Sequence, residues 1–304
     1  MNKIKSDRLR PVMWAASLIA LASATAVAAK NWGDWSAPVN LEALPGSSDA
    51  LNTPAVDGCA SHSRDGLTIV FNSNRGGDFD LYMATRSDTS EGFGSPVRLP
   101  APVNTSSNEA CATIANGNRL YFSSDRDDPA YDLYVSKRGP NGWSVPTRLG
   151  PNINTEGMLE EAADFYEDDQ GRQVMIFTRR NVQGTVADIY QSTDGGPASL
   201  VQGGPHSSAA DARASVTNDG LTIFWDSSRS GGLGGPDLYY ATRSSTSEPF
   251  GSAIHLQSLS SPAFDARPYI SKDGSFLTYS SARIGSESPA PDIWLSTRTK
   301  VTGN

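Results

Sequence analysis

Residues 65–82 read Asp-Gly-Leu-Thr-Ile-Val-Phe-Asn-Ser-Asn-Arg-Gly-Gly-Asp-Phe-Asp-Leu-Tyr, and this stretch decides the fold. Its Asp-Gly dipeptide tolerates the positive φ angles of a tight turn, so it predicts a hairpin between two antiparallel strands. The apolar run at 67–71 is the second of these strands. After a glycine-rich loop, the Asp-Leu-Tyr at 80–82 begins a third. The stretch therefore predicts part of an antiparallel sheet.

The same pattern recurs five times along the chain. The turn dipeptides are Asp65-Gly66, Asn116-Gly117, Gln170-Gly171, Asp219-Gly220 and Asp273-Gly274. The third strands begin at Asp80, Asp132, Asp188, Asp237 and Asp292. A fourth strand is marked by an aromatic residue, a small residue and usually a proline, which is tolerated at the edge of a sheet. Four-stranded repeats of about 40 to 50 residues predict a β-propeller.

The marker of the fourth strand is missing from the last repeat and stands instead near the N-terminus. It follows earlier repeats at 93–96 and 143–146, whereas the displaced copy is the Trp-Ser-Ala-Pro at 35–38. When the N-terminus supplies the outer strand of the last blade, the first and last blades are held together and the ring is closed. We therefore predict an all-β fold, a single five-bladed β-propeller whose N-terminal strand, at 31–41, completes the last blade.

The repeat resembles a known family. Gly-Leu-x-Ile-x-Phe-x-Ser-x-Arg-Gly-Gly followed by Asp-Leu-Tyr occurs at 66–82 and, with a longer loop, at 220–239. These strings are similar to the TolB-like (WD40-like) propeller repeats of bacterial periplasmic proteins, and the segment at 143–155 is similar to versions found in cell-envelope proteins. The resemblance covers residues 31–299. It implies a propeller, but such repeats serve both as binding platforms and as enzyme scaffolds.

The domain organisation is expected to be simple. Residues 1–28 combine basic residues, an apolar run and an Ala-Val-Ala cleavage site, which together are typical of a cleaved secretory signal peptide. No cysteine follows the apolar run, so we expect a periplasmic or secreted protein without a lipoprotein anchor. The propeller at 31–299 precedes a tail at 300–304. Its blades are expected at about 43–99, 100–149, 150–202, 203–256, and 257–299 with 31–41.

The charge of the chain restricts its partners. Removal of residues 1–28 takes away four cations and one anion, so the formal charge falls from −8 to −11. Such an acidic protein repels nucleic acid and anionic lipid surfaces. We expect no nucleic-acid partner, no membrane insertion of the mature chain, and a monomer. The expected partner is an envelope protein, a peptide or a glycan.

A carboxylate begins the innermost strand of every blade. This ring is predicted to consist of Asp57, Glu109, Glu161, Asp211 and Asp265. An arginine follows the second strand in four blades, as Arg75, Arg126, Arg229 and Arg283. Both groups lie at the same end of a blade, so they are expected to meet. Because the pair is repeated, we interpret it as an ion-paired scaffold; the alternative is a polar ring that binds substrate or Ca²⁺.

Positions that break the five-fold pattern are better candidates for function. Two residues beyond the ring carboxylate, the predicted series is Cys59, Cys111, Ala163, Arg213 and Arg267. The two arginines approach each other near the axis, where a guanidinium fork matches a ligand carboxylate, sulfate or phosphate. The alternative is that Asp211 and Asp265 neutralise them. Two further departures are Asp164 and Asp226.

The chain contains two cysteines, Cys59 and Cys111, at matching positions of adjacent blades. An exported protein is exposed to an oxidising compartment, where such a pair forms a disulfide. Bonding requires that the innermost strands come close to the axis, because the Cα atoms of a disulfide are about 4.4 to 6.8 Å apart. We predict the disulfide; two buried free thiols are the alternative.

Two hypotheses of function remain. The first is a non-catalytic recognition module that binds its partner over the axial mouth formed by the inter-blade loops, with no cofactor apart from Ca²⁺ in the acidic ring as an open alternative. The second is a carbohydrate-active hydrolase or lyase, since five-bladed propellers also carry glycosidases. Its candidate carboxylates are Asp57, Glu109, Glu161, Asp164 and Asp211. Carboxylates paired with arginine favour the first hypothesis, and two unpaired ones in a cleft favour the second.

Overall fold

The computed structural model describes residues 32–116, 118–127 and 129–301. The predicted signal peptide at 1–28 lies outside these residues. The described part contains a single 3-10 turn at Leu41–Ala43 and is otherwise built from β-strands. No helix in it is long and apolar enough to cross a membrane.

The strands form five antiparallel sheets, one for each blade. Strand β1 (Val39–Asn40) joins the fifth sheet. Blade 1 contains β2 (Asp57–His62), β3 (Thr68–Ser73), β4 (Asp80–Thr85) and β5 (Val97–Arg98). Blade 2 contains β6 (Glu109–Ala115), β7 (Arg119–Ser124), β8 (Asp132–Gly139), β9 (Gly142–Trp143) and β10 (Thr147–Arg148). Blade 3 contains β11 (Met158–Glu167), β12 (Gln173–Asn181), β13 (Ala187–Thr193) and β14 (Ser199–Leu200). Blade 4 contains β15 (Asp211–Val216), β16 (Thr222–Ser227), β17 (Asp237–Thr242) and β18 (Ile254–His255). Blade 5 contains β19 (Asp265–Ile270), β20 (Phe276–Ser281) and β21 (Asp292–Thr297), with β1 at its edge.

The five sheets are arranged in a closed ring. The innermost strands β2, β6, β11, β15 and β19 contact one another in chain order, and β19 contacts β2. Hydrophobic residues from neighbouring blades pack between the sheets. Trp225 of blade 4, for example, is fully buried together with Val174 and Ile176 of blade 3. The predicted five-bladed β-propeller is confirmed.

The N-terminal strand closes the ring as the sequence predicts. Val39 pairs with Leu295, and Asn40 pairs with Trp294, in antiparallel register. The contact continues before β1, where the Ser36 amide donates to the Thr297 carbonyl at 2.7 Å. Without β1, strand β21 would be left as an unpaired edge.

We expect a mature protein that begins at Gly46 to melt at a lower temperature and to aggregate, because it lacks β1 and exposes the edge of β21. Differential scanning calorimetry and light scattering measure both effects. A protein that begins at Trp32 is the matched control. Equal melting of the two proteins would show that the closing strand contributes nothing to the ring.

One carboxyl group of the closing segment favours its neutral form. Burial raises the pKa of Glu42 to about 7, against a hydrogen bond from the Asn52 amide that lowers it, and the nearby carboxylates Glu287 and Asp292 add to the rise. The ordinary value is 4.5, so the folded protein holds this proton more tightly than the unfolded chain. Stability therefore falls as the pH rises from about 4.5 to about 7.

Substitution of Glu42→Gln removes this ionisation. We expect it to raise the melting temperature near pH 8 by about 2–4 °C, which corresponds to about 1 kcal/mol after solvent screening, and to have little effect near pH 4. Glu156 is exposed, so Glu156→Gln serves as the control in the same melting series. A stabilisation that does not depend on pH would contradict the explanation.

Cys59 of β2 and Cys111 of β6 are joined by a disulfide. Their Cα atoms are 4.9 Å apart, so the innermost strands of blades 1 and 2 lie as close to the axis as the predicted bond requires. The closed loop spans 52 residues of sequence.

Loop-closure entropy predicts that this disulfide stabilises the fold by about 3–4 kcal/mol. We expect Cys59→Ala with Cys111→Ala to lower the free energy of unfolding by about that amount in a urea titration. Intact-mass analysis after alkylation of the denatured, non-reduced mature protein tests the bond directly. Two alkylated thiols would show that the cysteines are free.

Candidate functional site

A buried carboxylate pairs with an arginine in each of the five blades, and we call each such pair a clasp. The clasps are Asp57–Arg75 at 2.6 Å, Glu109–Arg126 at 3.0 Å, Glu160–Arg179 at 2.7 Å, Asp211–Arg229 at 2.5 Å and Asp265–Arg283 at 2.6 Å. All five carboxylate side chains are 0% exposed. The end of the propeller that carries them is the clasp end, and the opposite end, where the first two strands of each blade turn, is the hairpin end.

Each arginine also holds the loop that enters the innermost strand. Arg75, for example, donates to the Ala50 and Leu51 carbonyls at 2.7 and 3.1 Å and lies 4.8 Å from the centre of the Tyr82 ring. Through these contacts the guanidinium group fixes the loop against the blade. Asp57, Glu109, Asp211 and Asp265 therefore belong to the scaffold and are not open to a ligand.

The aspartates that begin the third strands do not join the clasps. Asp80 pairs instead with Arg98 of the outer strand at 2.6 Å, and Asp132 pairs with Arg148 at 2.5 Å. The reason is the direction of the side chains, which point toward the outer strand next to them.

Blade 3 corrects the predicted ring by one residue. Glu160, not Glu161, occupies the clasp, because its amide donates to the Tyr131 carbonyl just as the Asp57 amide donates to Pro291. Glu161 therefore takes the next position, where the other blades carry Gly58, Ala110, Ala212 and Ala266. The series with positive φ angles continues with Ala162, not Ala163, and is Cys59, Cys111, Ala162, Arg213 and Arg267.

This shift places Glu161 in a cluster of charges at the clasp end of the axis. We call Glu161, Arg180, Arg213, Asp226 and Arg267 the axial charge cluster. Arg213 holds Asp226 through two hydrogen bonds of 2.9 and 2.5 Å, and its Nη1 lies 3.5 Å from Glu161. Arg180 pairs with the same Glu161 oxygen. The counter-ions of Arg213 are thus Asp226 and Glu161, and the predicted alternative, Asp211 and Asp265, is wrong because both are held in clasps.

Arg267 differs from Arg180 and Arg213 because its side chain forms no ion pair among the described residues. Its amide donates to Asp226 Oδ1 at 2.9 Å, but its side-chain Nε and Nη1 are buried and have no hydrogen-bond partner among the described residues. Burial, followed by repulsion from Arg213, lowers the pKa of Arg267 to about 10. The cluster contains three guanidinium groups and two carboxylates, so it carries excess positive charge at Arg267.

Asp164 lies away from this cluster, at the hairpin end. It accepts hydrogen bonds from Lys272 at 2.7 Å, from the Ser215 hydroxyl at 2.8 Å and from the Val216 amide at 3.0 Å. Within 32–116, 118–127 and 129–301, no group of three or more histidine, cysteine, aspartate or glutamate side chains is placed to hold a metal ion. Each ring carboxylate is engaged by an arginine.

Sequence reasoning identified Arg213, Arg267 and Asp226 but missed Arg180 and the role of Glu161. The presence of two adjacent acids and two adjacent arginines in blade 3, at 160–161 and 179–180, was the available signal. Glu160 and Arg179 form the clasp, and Glu161 and Arg180 belong to the axial charge cluster.

Comparisons with known proteins relate this chain to others through its fold. No protein-family model matches it, and no curated protein sequence matches it. An arabinanase from Bacillus subtilis superimposes with a TM-score of 0.55 at 11% identity, over 84% of this chain and 96% of that chain. The catalytic domain of a GH62 α-L-arabinofuranosidase from Coprinopsis cinerea gives 0.53 at 14% identity, over 90% and 98% of the two chains.

TolB from Acinetobacter baumannii also matches, with a TM-score of 0.43 at 18% identity over 64% of this chain. This chain spans 42% of the length of that TolB. The TolB superposition is too loose to carry an argument. The arabinanase and the arabinofuranosidase show a shared propeller fold, and at such low identity they show nothing about activity.

Proposed function

We propose that this protein is an exported recognition module whose clasp-end axial mouth binds an acidic group of an envelope protein, peptide or glycan. The observation that carries the proposal is Arg267, a partly exposed arginine whose guanidinium forms no ion pair in the described part of the chain and whose Nε and Nη1 have no hydrogen-bond partner there. An unpaired charge that is largely removed from water is costly, and an anionic ligand at the guanidinium would supply the missing counter-ion. Export and a periplasmic or secreted location rest on the sequence at 1–28.

The charge balance supports this ligand chemistry. Arg213 is neutralised by Asp226, and Arg180 by Glu161, so Arg267 is the member of the axial charge cluster left to attract an anion. Phe264, whose ring centre lies 5.7 Å from the guanidinium carbon, adds an apolar surface beside it. A carboxylate, sulfate or phosphate matches the geometry of a guanidinium fork.

The five carboxylates that the hydrolase hypothesis names are each paired with a cationic side chain, so none of these five is free. An inverting glycosidase uses an acid and a base about 6.5–9.5 Å apart, and the acid has a raised pKa. Burial acts to raise the pKa of Glu161, but Arg180, Arg213 and Arg267 together outweigh it and lower this pKa. Glu161 is therefore ionised and unsuited to the role of general acid. The other proposed catalytic carboxylates are held by Arg75, Arg126, Arg229 and Lys272.

We expect the Arg267 Nε–H signal in a proton–nitrogen NMR spectrum to shift saturably on titration with sodium acetate, sulfate or inorganic phosphate at constant ionic strength. Arg267→Gln should abolish the saturable response. Arg138 is exposed on the outer part of blade 2, so Arg138→Gln should preserve it. An identical response of the Arg267→Gln protein would contradict the proposal.

The same variant separates a binding role from a structural one. Because Arg267→Gln removes an unpaired, largely buried charge, it should leave the free energy of unfolding unchanged or raise it by about 1–2 kcal/mol. A urea titration measures this difference. A marked decrease in the free energy of unfolding would show that Arg267 has a structural role.

A further inference from the structure

The hairpin end of the axis contains a cavity of about 140 Å³ that is separate from the axial charge cluster. All five blades contribute to its lining. His62, Thr113 and Asp164 are buried at its base, and Asn116, Gln173 and Asn218 are exposed at its opening. A cavity of about 150 Å³ is known to accommodate a benzene ring, so this one has room for a single six-membered ring.

The strands of blade 3 form one side of this cavity. Strands β11 and β12 contain 10 and 9 residues, whereas the first two strands of blades 1, 4 and 5 contain 6 each. The longer hairpin supplies Phe165, Glu167 and Gln173 to the lining. This extension makes the hairpin end asymmetric and gives the cavity a partly apolar side.

His62 lies at the base of the cavity, but its ring is enclosed by protein. The residue is 2% exposed, and its Nδ1 is buried without a partner among the described residues. Its Nε2 lies 3.0 Å from Thr278 Oγ1, and that hydroxyl donates to the Ala60 carbonyl at 3.3 Å. Burial, with a smaller contribution from Arg86, lowers the pKa of His62 to about 3, so the ring is neutral.

The lining carries no net charge. The Asp164 carboxylate is neutralised by Lys272, whose ammonium group also donates to the Phe165 carbonyl at 3.1 Å. Arg64 and Glu167 lie at the opening with opposite charges. An uncharged ligand is favoured here, in contrast to the anion favoured at the clasp end.

The polar groups at the opening match hydroxyl groups. The side chains of Asn116, Gln173 and Asn218 each offer a donor and an acceptor, and so does the Thr113 hydroxyl. A ligand hydroxyl can donate to one of these amide oxygens and accept from a neighbouring amide group at the same time. Polar groups around a partly apolar cavity fix the orientation of a small ligand.

We propose that the hairpin-end cavity binds an uncharged, hydroxyl-rich six-membered ring, such as a pyranose unit, with the side-chain amides at its opening as hydrogen-bond partners. The ligand ring would stand against Phe165 and direct its hydroxyl groups toward the amides of the opening. This site is independent of the anion site at Arg267.

The test is a calorimetric titration of the mature protein with D-glucose, D-galactose, D-mannose and myo-inositol. D-Glucuronate, D-glucosamine and cyclohexanol are the charged and apolar comparators. We expect saturable binding of at least one uncharged polyol and weaker binding of the comparators. Absence of saturation with every uncharged polyol, at concentrations that would saturate a millimolar site, would overturn the proposal. Stronger binding of a charged comparator or of cyclohexanol would also overturn it.

A substitution at the opening locates the binding. Gln173→Leu, at an exposed position, should weaken binding about fivefold, as expected for the loss of one neutral hydrogen bond. Gln257 is exposed outside the cavity, so Gln257→Leu is the matched control and should bind normally, as should Arg267→Gln. Normal binding by the Gln173→Leu protein would place the ligand elsewhere and contradict the proposal.

Discussion

The clasp between a buried carboxylate and an arginine is the interaction on which the rest of this propeller depends. Each carboxylate is fully removed from water, so losing its arginine would leave an uncompensated buried charge, which costs about 3–5 kcal/mol in other proteins. Because the arginine also binds carbonyl groups of the preceding loop, each clasp fixes where an innermost strand begins. The five clasps thereby set the spacing of the strands around the axis.

Because the clasps fix the innermost strands, the two residues that follow each clasp carboxylate can differ between blades. The residues with positive φ angles have the same backbone conformation in all blades, yet they are two bonded cysteines, one alanine and two arginines. Their amides couple neighbouring blades: Cys111 donates to Asn72 at 3.2 Å, and Arg213 donates to Thr178 at 2.6 Å. The backbone at the axis is therefore similar in all five blades, whereas the side chains differ. The unpaired charge of Arg267 lowers the stability of the fold.

The sequence was sufficient to predict the blades, the closing strand and the pairing of Cys59 with Cys111, because each depends on a motif that recurs at a fixed spacing. It was not sufficient to align blade 3 with the other blades. Glu160 and Glu161 are adjacent carboxylates, and only the register of β11 shows which of them forms the clasp. The hairpin-end cavity was not predicted either. His62, Gln173 and Lys272 share no motif, and only closure of the ring brings them together.

A high-resolution crystal structure of the mature protein, grown with acetate, tests the central claim most directly. The account predicts five closed clasps and an acetate ion within hydrogen-bonding distance of the Arg267 guanidinium, with Arg213 still paired with Asp226. A structure in which Arg267 pairs with a carboxylate of this chain, or in which two axial carboxylates are free of arginine and lysine, would contradict it.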